Sequence, residues 1–404
     1  MTRSAEAFEA LLAAPRGGPV ALLHSGGGGG RTWLCTEPAA SLTIAAADWR
    51  GAFDRIDAFL RLQRDRRVVG WLGYDLGLDV EPWPTRAADD LGAPLVHLTA
   101  FAAAREFEGA VPTGAPPVPA AQQVRAHLDR GDYERRVRAV VEHIRAGDIF
   151  QANLTQPFTG RFDGDPRALF WRLCEQSPAP FAAYVEDGAG TAVLSSSPEE
   201  FLWRDGDAVR TVPIKGTRPR GADSVEDAAL LEELLASEKD LAELAMIVDL
   251  LRNDLGKVAR TGSVQVGPFP EHRSFAQVHH LMAEVTATLA PGVSAVDLLR
   301  ATFPGGSITG CPKLRCLEVI ESLEVARRGV YTGAIGWIGP GDQLHLNIAI
   351  RTLVHREGVV RGNAGGGVTA LSDPHQEWRE SLAKMAGLER ALQCRVEVPG
   401  EDRT

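Results

Sequence analysis

A segment of eight residues, 213–220, combines a lysine with residues that oppose regular structure. Proline lacks a backbone N–H and fixes φ, and glycine is common in turns, so Pro213, Gly216 and Pro219 together predict a constrained loop. Lys215 lies near its centre. On these residues alone, Lys215 is either a solvated surface charge or an amine held in place for chemistry.

The composition argues against several classes of protein. The 404 residues carry a formal net charge of -10 and no long basic run, which argues against a nucleic-acid or anionic-membrane partner. No apolar stretch is long enough to span a bilayer, and residues 1–15 lack the pattern of a signal peptide. The five cysteines are scattered without a Cys-x-x-Cys pair, which favours reduced thiols and a cytoplasmic location: Cys35, Cys174, Cys311, Cys316 and Cys394.

A proline-rich segment divides the chain. Residues 111–120 contain four prolines and one glycine, a composition typical of a linker. We therefore predict an N-terminal region, 1–120, and a second region, 121–398. Strands alternate with long helices without a regular βαβ rhythm, which indicates the α+β class.

Hydrophobic periodicity and turn residues predict the main elements. The N-terminal region shows no catalytic constellation, and its run of five glycines, 26–30, indicates a flexible hairpin or surface loop because no Gly-Lys-Ser/Thr follows. The other expected elements are strands over 20–23, 68–77, 150–158 and 191–194, helices over 49–64 and 133–144, a hairpin of strands 331–338 and 344–354 turned at 339–342, and a glycine-rich loop over 362–369.

Two further predicted helices each carry a pair of acids on one face. Asp240 and Glu243 are three residues apart on a helix over about 237–253, and Glu377 and Glu380 repeat that spacing on a helix over about 374–392. Four carboxylates with few thiols or histidines nearby in sequence suit a hard cation such as Mg²⁺. The alternative is two solvated helix faces.

Two sequence features suit an anionic ligand. The glycine-rich loop offers successive backbone N–H groups with little side-chain bulk, which suits a carboxylate; alternatively, its glycines allow close packing. Arg351 follows an apolar run on its strand and either binds an acidic substrate through two hydrogen bonds or pairs with a structural acid.

Residues from about 125 to 392 resemble the chorismate-utilising enzymes. Seven stretches match in order: 147–154, 195–201, 213–217, 242–255, 303–313, 347–352 and 365–380. The resemblance implies an α+β fold of large antiparallel β-sheets packed as a sandwich with helices outside, in which 121–398 is the chorismate-binding catalytic domain. The first region is similar to the N-terminal part of the amino-group-adding members, through residues 22–25 and 70–77.

Two positions indicate a branch of the family. Water-adding members have a lysine at the position of Gln151, and glutamine cannot act as a base, so the resemblance implies ammonia as the nucleophile. Members of the aminodeoxychorismate synthase component I branch have a lysine at the position of Lys215, where anthranilate synthases typically have alanine. Cys311 departs from the usual alanine, a small-for-small change.

The resemblance also implies residue roles. Lys215 would attack chorismate as a neutral amine, which favours a desolvated site or a nearby positive charge. Glu199 would protonate the departing hydroxyl; the sequence does not separate it from Glu200 as the acid that faces the substrate. His280 would lie near the ring, with a buried, satisfied histidine as the competing interpretation.

The remaining implied roles concern binding. Glu243 and Glu380 would bind Mg²⁺, with Asp240 and Glu377 outside them. The residues expected at the substrate are Arg351, Gly365, Gly366, Gly367, Thr309, Lys313, Gln151 and Tyr331.

No glutamine amidotransferase signature is visible, so the resemblance implies a separate amidotransferase subunit as the ammonia source. The product would be a precursor of p-aminobenzoate, and hence of folate. A further enzyme would convert this product to p-aminobenzoate. Some family members hold tryptophan in the N-terminal region, where residues 22–25 match. The open alternatives are an anthranilate synthase, another ammonia-adding relative, and a catalytically silent paralogue.

Overall fold

The computed structural model describes residues 5–26, 30–275 and 278–400. These parts of the chain contain nine α-helices and 22 β-strands. The helices are α1 Glu6–Ala13, α2 Ala52–Leu62, α3 Arg130–Arg145, α4 Pro166–Gln176, α5 Ser224–Leu235, α6 Glu238–Gly256, α7 Ala295–Thr302, α8 Lys313–Leu323 and α9 Pro374–Leu392. The strands are β1 Val20–His24, β2 Arg31–Cys35, β3 Pro38–Ile44, β4 Arg67–Leu72, β5 Val96–Phe101, β6 Arg105–Glu108, β7 Gln122–Ala126, β8 Gln151–Arg161, β9 Phe181–Glu186, β10 Thr191–Ser197, β11 Glu200–Asp205, β12 Ala208–Val212, β13 Ile214–Pro219, β14 Gln265–Val266, β15 Glu271–Ser274, β16 Val278–Met282, β17 Val285–Thr288, β18 Gly310–Cys311, β19 Ala334–Ile338, β20 Leu344–Ile348, β21 Thr352–Arg356 and β22 Val359–Val368.

The strands form two large sheets and one small sheet. Sheet A has the strand order β18-β8-β22-β21-β10-β9-β1-β2-β6, with β7 paired to β8. Sheet B has the order β14-β17-β12-β11-β20-β19-β4-β5-β3, and sheet C is β13-β16-β15. Each neighbouring pair of these strands is antiparallel.

Sheets A and B pack against each other as a sandwich. Val185 and Val193 of sheet A share a buried cluster with Trp71 and Ile335 of sheet B. Helices α1, α4 and α9 contribute to a second cluster with sheet A, and α2, α6 and α7 contribute to a third with sheet B. Burial of these apolar faces on both sides of each sheet is the main force that holds the layers together.

The chain passes from one sheet to another at three points that matter for the site. Sheet A continues into sheet B between β10 and β11, at Pro198 and Glu199, and sheet B returns to sheet A between β20 and β21, where Arg351 has φ +49°. The third crossing is at Pro213, where β12 of sheet B leads into β13 of sheet C. The predicted continuous strand over 344–354 is therefore wrong, because the chain bends between the two sheets.

The expected loop over 213–220 is also wrong. Residues Ile214–Pro219 form β13, which pairs with β16, and the register shifts between Lys215 and Thr217. Gly216 has φ +73° at this irregularity. A bulge of this kind accommodates a glycine with positive φ in an antiparallel strand and redirects the neighbouring side chain. The loop prediction did not consider such a bulged strand.

The expected glycine-rich loop over 362–369 lies almost wholly in a strand. Gly365, Gly366 and Gly367 belong to β22 and pair with Thr155, Leu154 and Asn153 of β8. A Cβ atom at Gly365 would lie 2.0 Å from the carbonyl oxygen of Leu154. The glycines therefore permit close strand pairing, which the sequence does not separate from a turn.

Other expectations agree with the fold more closely. Helices α6 and α9 carry the two acid pairs, β19 and β20 form the predicted hairpin, and residues 111–120 are irregular. The strand predicted over 68–77 ends at Leu72, and a 3₁₀ helix, Tyr74–Asp79, follows it. Of the glycine run at 26–30, residues 27–29 lie outside the described residues.

Both large sheets contain strands from each side of residue 120, and the division of the chain at that point stays a prediction. In the part of the chain that the structure describes, no helix combines the length and apolar character needed to cross a membrane. The five cysteines are free thiols.

Candidate active site

The bulge of β13 directs Lys215 toward the segment before β18. The Lys215 amine donates a hydrogen bond to the carbonyl oxygen of Ser307, 3.1 Å away. Helix α6 packs directly behind the bulge, since a Cβ atom at Gly216 would lie 3.0 Å from Cβ of Asp240. Lys215 is half-buried, and this hydrogen bond holds its amine beside Ser307.

Glu199 lies beside this lysine at the crossing from sheet A to sheet B. Its residue is 5% exposed, and its carboxyl interacts with the side chain of Ser307 and electrostatically with Lys215. Burial raises the pKa of Glu199 above its ordinary value, although Ser307 and Lys215 act in the opposite direction. A buried carboxyl with a raised pKa can retain a proton to donate.

The carboxylate of the neighbouring acid, Glu200, pairs with Arg210 and His345. Arg210 donates to both of its carboxylate oxygens, at 2.7 and 3.0 Å, and His345 Nε2 lies 2.8 Å from it. Burial acts to raise the pKa of Glu200, but His345 and Arg210 outweigh it and lower that pKa. The structure thus separates the two acids that the sequence could not: Glu199 borders Lys215, and Glu200 is a paired structural residue.

His280 contacts the same bulge from β16. Its Nδ1 lies 2.9 Å from Oγ1 of Thr217, and its ring interacts with the backbone of Gly216. Burial, with a further contribution from the charge of Arg351, lowers the pKa of His280 to about 4. The imidazole is therefore neutral near pH 7 and has partners within the protein.

Arg351 brings a guanidinium to this site that has no carboxylate partner among the residues the structure describes. Burial lowers the pKa of Arg351, and among the described residues no acid acts on it in the other direction. Its main-chain carbonyl accepts a hydrogen bond from the amide of Ser196, which joins the two sheet crossings. Because a buried cation is unfavourable unless it is paired, an anion is the partner that this arrangement suits.

The glycine segment of β22 closes another side of the site. Strand β21 pairs with β22 only as far as Gly362, whereas β8 continues to Val368, so sheet pairing leaves one edge of Gly365 to Gly367 uncovered. A Cβ atom at Gly367 would lie 2.5 Å from Nε2 of Gln151. Gln151 is buried, and its Oε1 has no hydrogen-bond partner in the described part of the chain.

Helices α6 and α9 bring their acids to the same glycines. A Cβ atom at Gly366 would lie 3.2 Å from Oε1 of Glu380 and 3.3 Å from Oε2 of Glu377, and one at Gly367 would lie 3.2 Å from Oε2 of Glu243. The cradle of carboxylates around these glycines depends on the absence of side chains there.

Cationic side chains already contact the four acids. Lys239 Nζ lies 3.0 Å from Glu377 and 3.9 Å from Glu243. Glu380 is 2.7 Å from Lys384, and Asp240 is 3.5 Å from Arg218. Over residues 5–26, 30–275 and 278–400, no three acids, histidines or cysteines are arranged as a group that could hold a metal ion. Carboxylate oxygens are ligands that a hard cation such as Mg²⁺ prefers. In this structure the four acids pair with lysine and arginine side chains instead.

Of three further predicted substrate residues, two have hydrogen-bond partners within the protein and the third is buried. Thr309 Oγ1 donates to the carbonyl of Gly305 at 3.0 Å, and Lys313 donates to Asp254 at 2.5 Å and to the carbonyl of Thr302 at 2.9 Å. Tyr331 is buried, which raises its pKa. Substrate contacts by these three side chains stay a prediction.

Sequence reasoning did not single out three residues that the structure brings to the site. Ser307 contacts Lys215 and Glu199, and Lys239 contacts two of the acids. Lys384 donates to the carbonyl of Gly365 at 2.8 Å as well as to Glu380. Both lysines lie four residues from a predicted metal ligand on the same helix, and that spacing could have indicated them.

Comparison with known proteins identifies the family of this chain. Residues 18–390 match the chorismate binding enzyme family. The chain belongs to the chorismate-binding enzymes. As a chorismate-binding enzyme, it has relatives that are named for more than one reaction.

The chain is 39% identical over 341 residues to aminodeoxychorismate synthase component 1 of Klebsiella aerogenes, with 79% of this chain and 75% of the relative covered. It is also 39% identical over 351 residues to an anthranilate synthase component I-like protein of Synechocystis, with 80% and 72% covered. Identity to aminodeoxychorismate synthase of Streptomyces griseus is 44% over 288 residues and 71% of this chain, which spans 39% of that relative.

Solved structures share the fold of this chorismate-binding enzyme. Anthranilate synthase component I from Streptococcus pneumoniae has a TM-score of 0.77 at 26% identity, with 88% of this chain and 92% of that chain covered. An isochorismate synthase from Bacillus anthracis, described as 2,3-dihydroxybenzoate-specific, has a TM-score of 0.77 at 25% identity, with 96% and 100% covered. The predicted α+β sandwich and family membership are confirmed.

Proposed function

We propose that this chorismate-binding enzyme is an aminodeoxychorismate synthase component I, which converts chorismate and ammonia to 4-amino-4-deoxychorismate. The observation that carries the proposal is the position of the Lys215 amine next to the buried acid Glu199, with Ser307 in contact with both. A nucleophile and a proton donor on one side of a site suit substitution at a carbon that bears a poor leaving group.

Lys215 would act as the nucleophile. Its amine, after losing a proton to solvent, bonds to C2 of chorismate while the C4 hydroxyl departs as water with the proton of Glu199. Ammonia then bonds to C4, the Lys215 amine is expelled from C2, and a proton of the new C4 ammonium group returns to Glu199. The carboxylates of Glu199 and Glu243 interact electrostatically with Lys215. These charged neighbours of the amine are acids, whereas the resemblance implies a desolvated site or a nearby positive charge.

Arg351 and the glycine segment would hold the substrate carboxylates. The guanidinium of Arg351, on which no acid of the described residues acts, supports this role, as does the backbone edge of Gly365 to Gly367 that strand pairing leaves free. The neutral imidazole of His280 would contact the ring side of the site and hold the bulge beside Lys215.

Glu243 and Glu380 would hold Mg²⁺, with Glu377 and Asp240 behind them. The carboxylate oxygens around the bare Gly366 and Gly367 support this assignment, since Mg²⁺ prefers oxygen donors and keeps several waters. Bound Mg²⁺ supplies positive charge that offsets a substrate carboxylate.

Ammonia is the favoured nucleophile because Gln151 cannot remove a proton from water, and its unpaired Oε1 is available as an acceptor. A separate glutamine amidotransferase subunit would supply the ammonia in the cytoplasm. The product would be a precursor of p-aminobenzoate, and hence of folate. Anthranilate synthase component I is the second candidate, because a relative with that name is 39% identical to this chain over 277 residues.

The test is product analysis on the full chain with chorismate, Mg²⁺ and ammonium. The proposal predicts 4-amino-4-deoxychorismate from the intact chain and its loss in Lys215→Ala. Anthranilate as the product of the intact chain would favour the second candidate, and isochorismate would contradict the assignment of ammonia as nucleophile. Absence of turnover, both with ammonium and with an added amidotransferase subunit, would favour a silent paralogue.

A further inference from the structure

Lys239 joins two buried acids that belong to different helices. Its Nζ lies 3.0 Å from Oε1 of Glu377 on α9 and 3.9 Å from Oε1 of Glu243 on α6. The side chains of these acids are 3% and 9% exposed. We infer that Lys239 is an internal counter-ion which neutralises these carboxylates when Mg²⁺ is absent and competes with Mg²⁺ for them; the inference rests on the Mg²⁺ site of the proposed function.

Burial explains why a counter-ion is needed. Carboxylates removed from water are strongly unfavourable unless a positive charge or several hydrogen bonds compensate them. Glu243 has no direct side-chain hydrogen bond in the described residues, and the Lys239 ammonium lies 3.9 Å from it. Glu377 accepts hydrogen bonds from Ser372 and Lys239. Removing Lys239 would leave Glu243 and Glu377 with less positive charge nearby.

Electrostatics explains why the two cations compete. A divalent ion bound by these carboxylates would lie a few ångströms from the present position of the ammonium, and like charges at such separations repel strongly. The lysine must therefore swing away, at least in part, when Mg²⁺ binds.

Lys239 can make this movement toward solvent. Its side chain is 36% exposed, and it has a flexible four-carbon stem that can turn toward solvent. The side-chain contacts of Lys239 are with Glu243 and Glu377, both predicted to bind or support Mg²⁺. Lys384 differs because it also donates to the carbonyl of Gly365, which fixes it to β22.

The experiment compares the full chain with Lys239→Met, which removes the charge and keeps most of the stem. Mg²⁺ binding is measured by isothermal titration calorimetry, and thermal unfolding is followed in EDTA and in saturating Mg²⁺. We expect Lys239→Met to bind Mg²⁺ about tenfold more tightly because repulsion by the ammonium is absent. We also expect its melting temperature to fall in EDTA by about 2 to 4 °C, with recovery in saturating Mg²⁺.

Two variants control the comparison. Lys239→Arg keeps the charge and should retain wild-type Mg²⁺ affinity. Lys257→Met removes an ammonium that pairs with Asp254 at the other end of the same helix, away from the predicted ligands, and should leave Mg²⁺ affinity unchanged.

The outcomes separate the inference from the proposed function. Equal or weaker Mg²⁺ binding by Lys239→Met would overturn the counter-ion inference and leave the reaction assignment intact. No Mg²⁺ binding by the wild-type chain would overturn both the inference and the proposed metal site. A chain that binds Mg²⁺ as expected but makes a different product would retain the inference and contradict the proposed reaction.

Discussion

Lys215 and Glu199 contact the same residue, Ser307, from two sheets of the fold. The lysine amine donates to the Ser307 carbonyl oxygen at 3.1 Å, while the Ser307 side chain interacts with the Glu199 carboxyl. Lys215 is on sheet C, and Glu199 lies at the crossing from sheet A to sheet B. The proposed nucleophile and proton donor are therefore held together by a residue that is remote from both in sequence.

The first prediction separates the two neighbouring acids. Glu199→Gln should lower kcat by about 10²- to 10⁴-fold because an amide cannot protonate the leaving hydroxyl. It should not lower the free energy of unfolding at pH 7, since burial disfavours the charged form of Glu199 and raises its pKa. Steady-state kinetics and denaturant titration measure the two effects.

Glu200→Gln is the matched control. It should reduce stability by about 1 to 3 kcal/mol because Arg210 and His345 lose a charged partner, with a much smaller change in kcat. A larger loss of kcat in Glu200→Gln than in Glu199→Gln would contradict the assignment.

His280 predicts a pH dependence of stability. Its pKa is lowered to about 4 in the fold, from an ordinary value of about 6.5, so the unfolded chain binds more protons between these values. The stability associated with neutral His280 is present above pH 6.5 and is lost as pH falls toward 4. From pH 7 to 4.5, the wild type should therefore lose about 2 to 3 kcal/mol more than His280→Asn.

Denaturant titrations of both proteins across that range test this prediction, and the comparison cancels the contributions of the other histidines. Equal pH slopes would show that His280 does not carry the effect.

Arg351 predicts opposite effects on binding and stability. Arg351→Gln should raise KM for chorismate about 10- to 100-fold because charge-assisted hydrogen bonds to a carboxylate are lost. Its free energy of unfolding should stay the same or increase, since burial of the guanidinium is not offset by an acid among the described residues. Loss of stability with an unchanged KM would instead indicate a structural role.

The space left by the missing side chain at Gly366 is predicted to be needed for Mg²⁺ binding. Gly366→Ala would place a methyl group 3.2 to 3.3 Å from the carboxylates of Glu380 and Glu377, so we expect a higher Mg²⁺ concentration at half-maximal activity. Gly256→Ala is the control because a Cβ atom there meets nothing within 4 Å. A similar shift in both variants would contradict a specific role for the space at Gly366.

Local sequence patterns predicted the parts of the fold that depend on local structure. The helical spacing of acids predicts α6 and α9, and the turn residues predict the hairpin of β19 and β20. Both kinds of element depend on contacts between residues a few positions apart. The sheet crossings at Glu199 and Arg351 could not be predicted in this way, since they depend on strand pairing over long separations.

The residues of the site also divide into those that the sequence predicts and those that depend on long-range packing. Its predicted acids, lysine and arginine came from the resemblance in sequence, whereas the contact of Ser307 with both Lys215 and Glu199 requires three distant segments to be packed together. The glycines of β22 were misassigned to a loop because the need for close backbone approach to β8 has no local signal.

A covalent role for Lys215 is tested by mass analysis of the intact protein after incubation with chorismate and Mg²⁺ in the absence of ammonia. We expect an adduct on Lys215 with the mass of chorismate less one water, which disappears when ammonium is added and 4-amino-4-deoxychorismate is released. The Lys215→Ala variant should show no adduct. No adduct on Lys215 at any time, with anthranilate as the product once ammonium is added, would contradict a covalent role for Lys215.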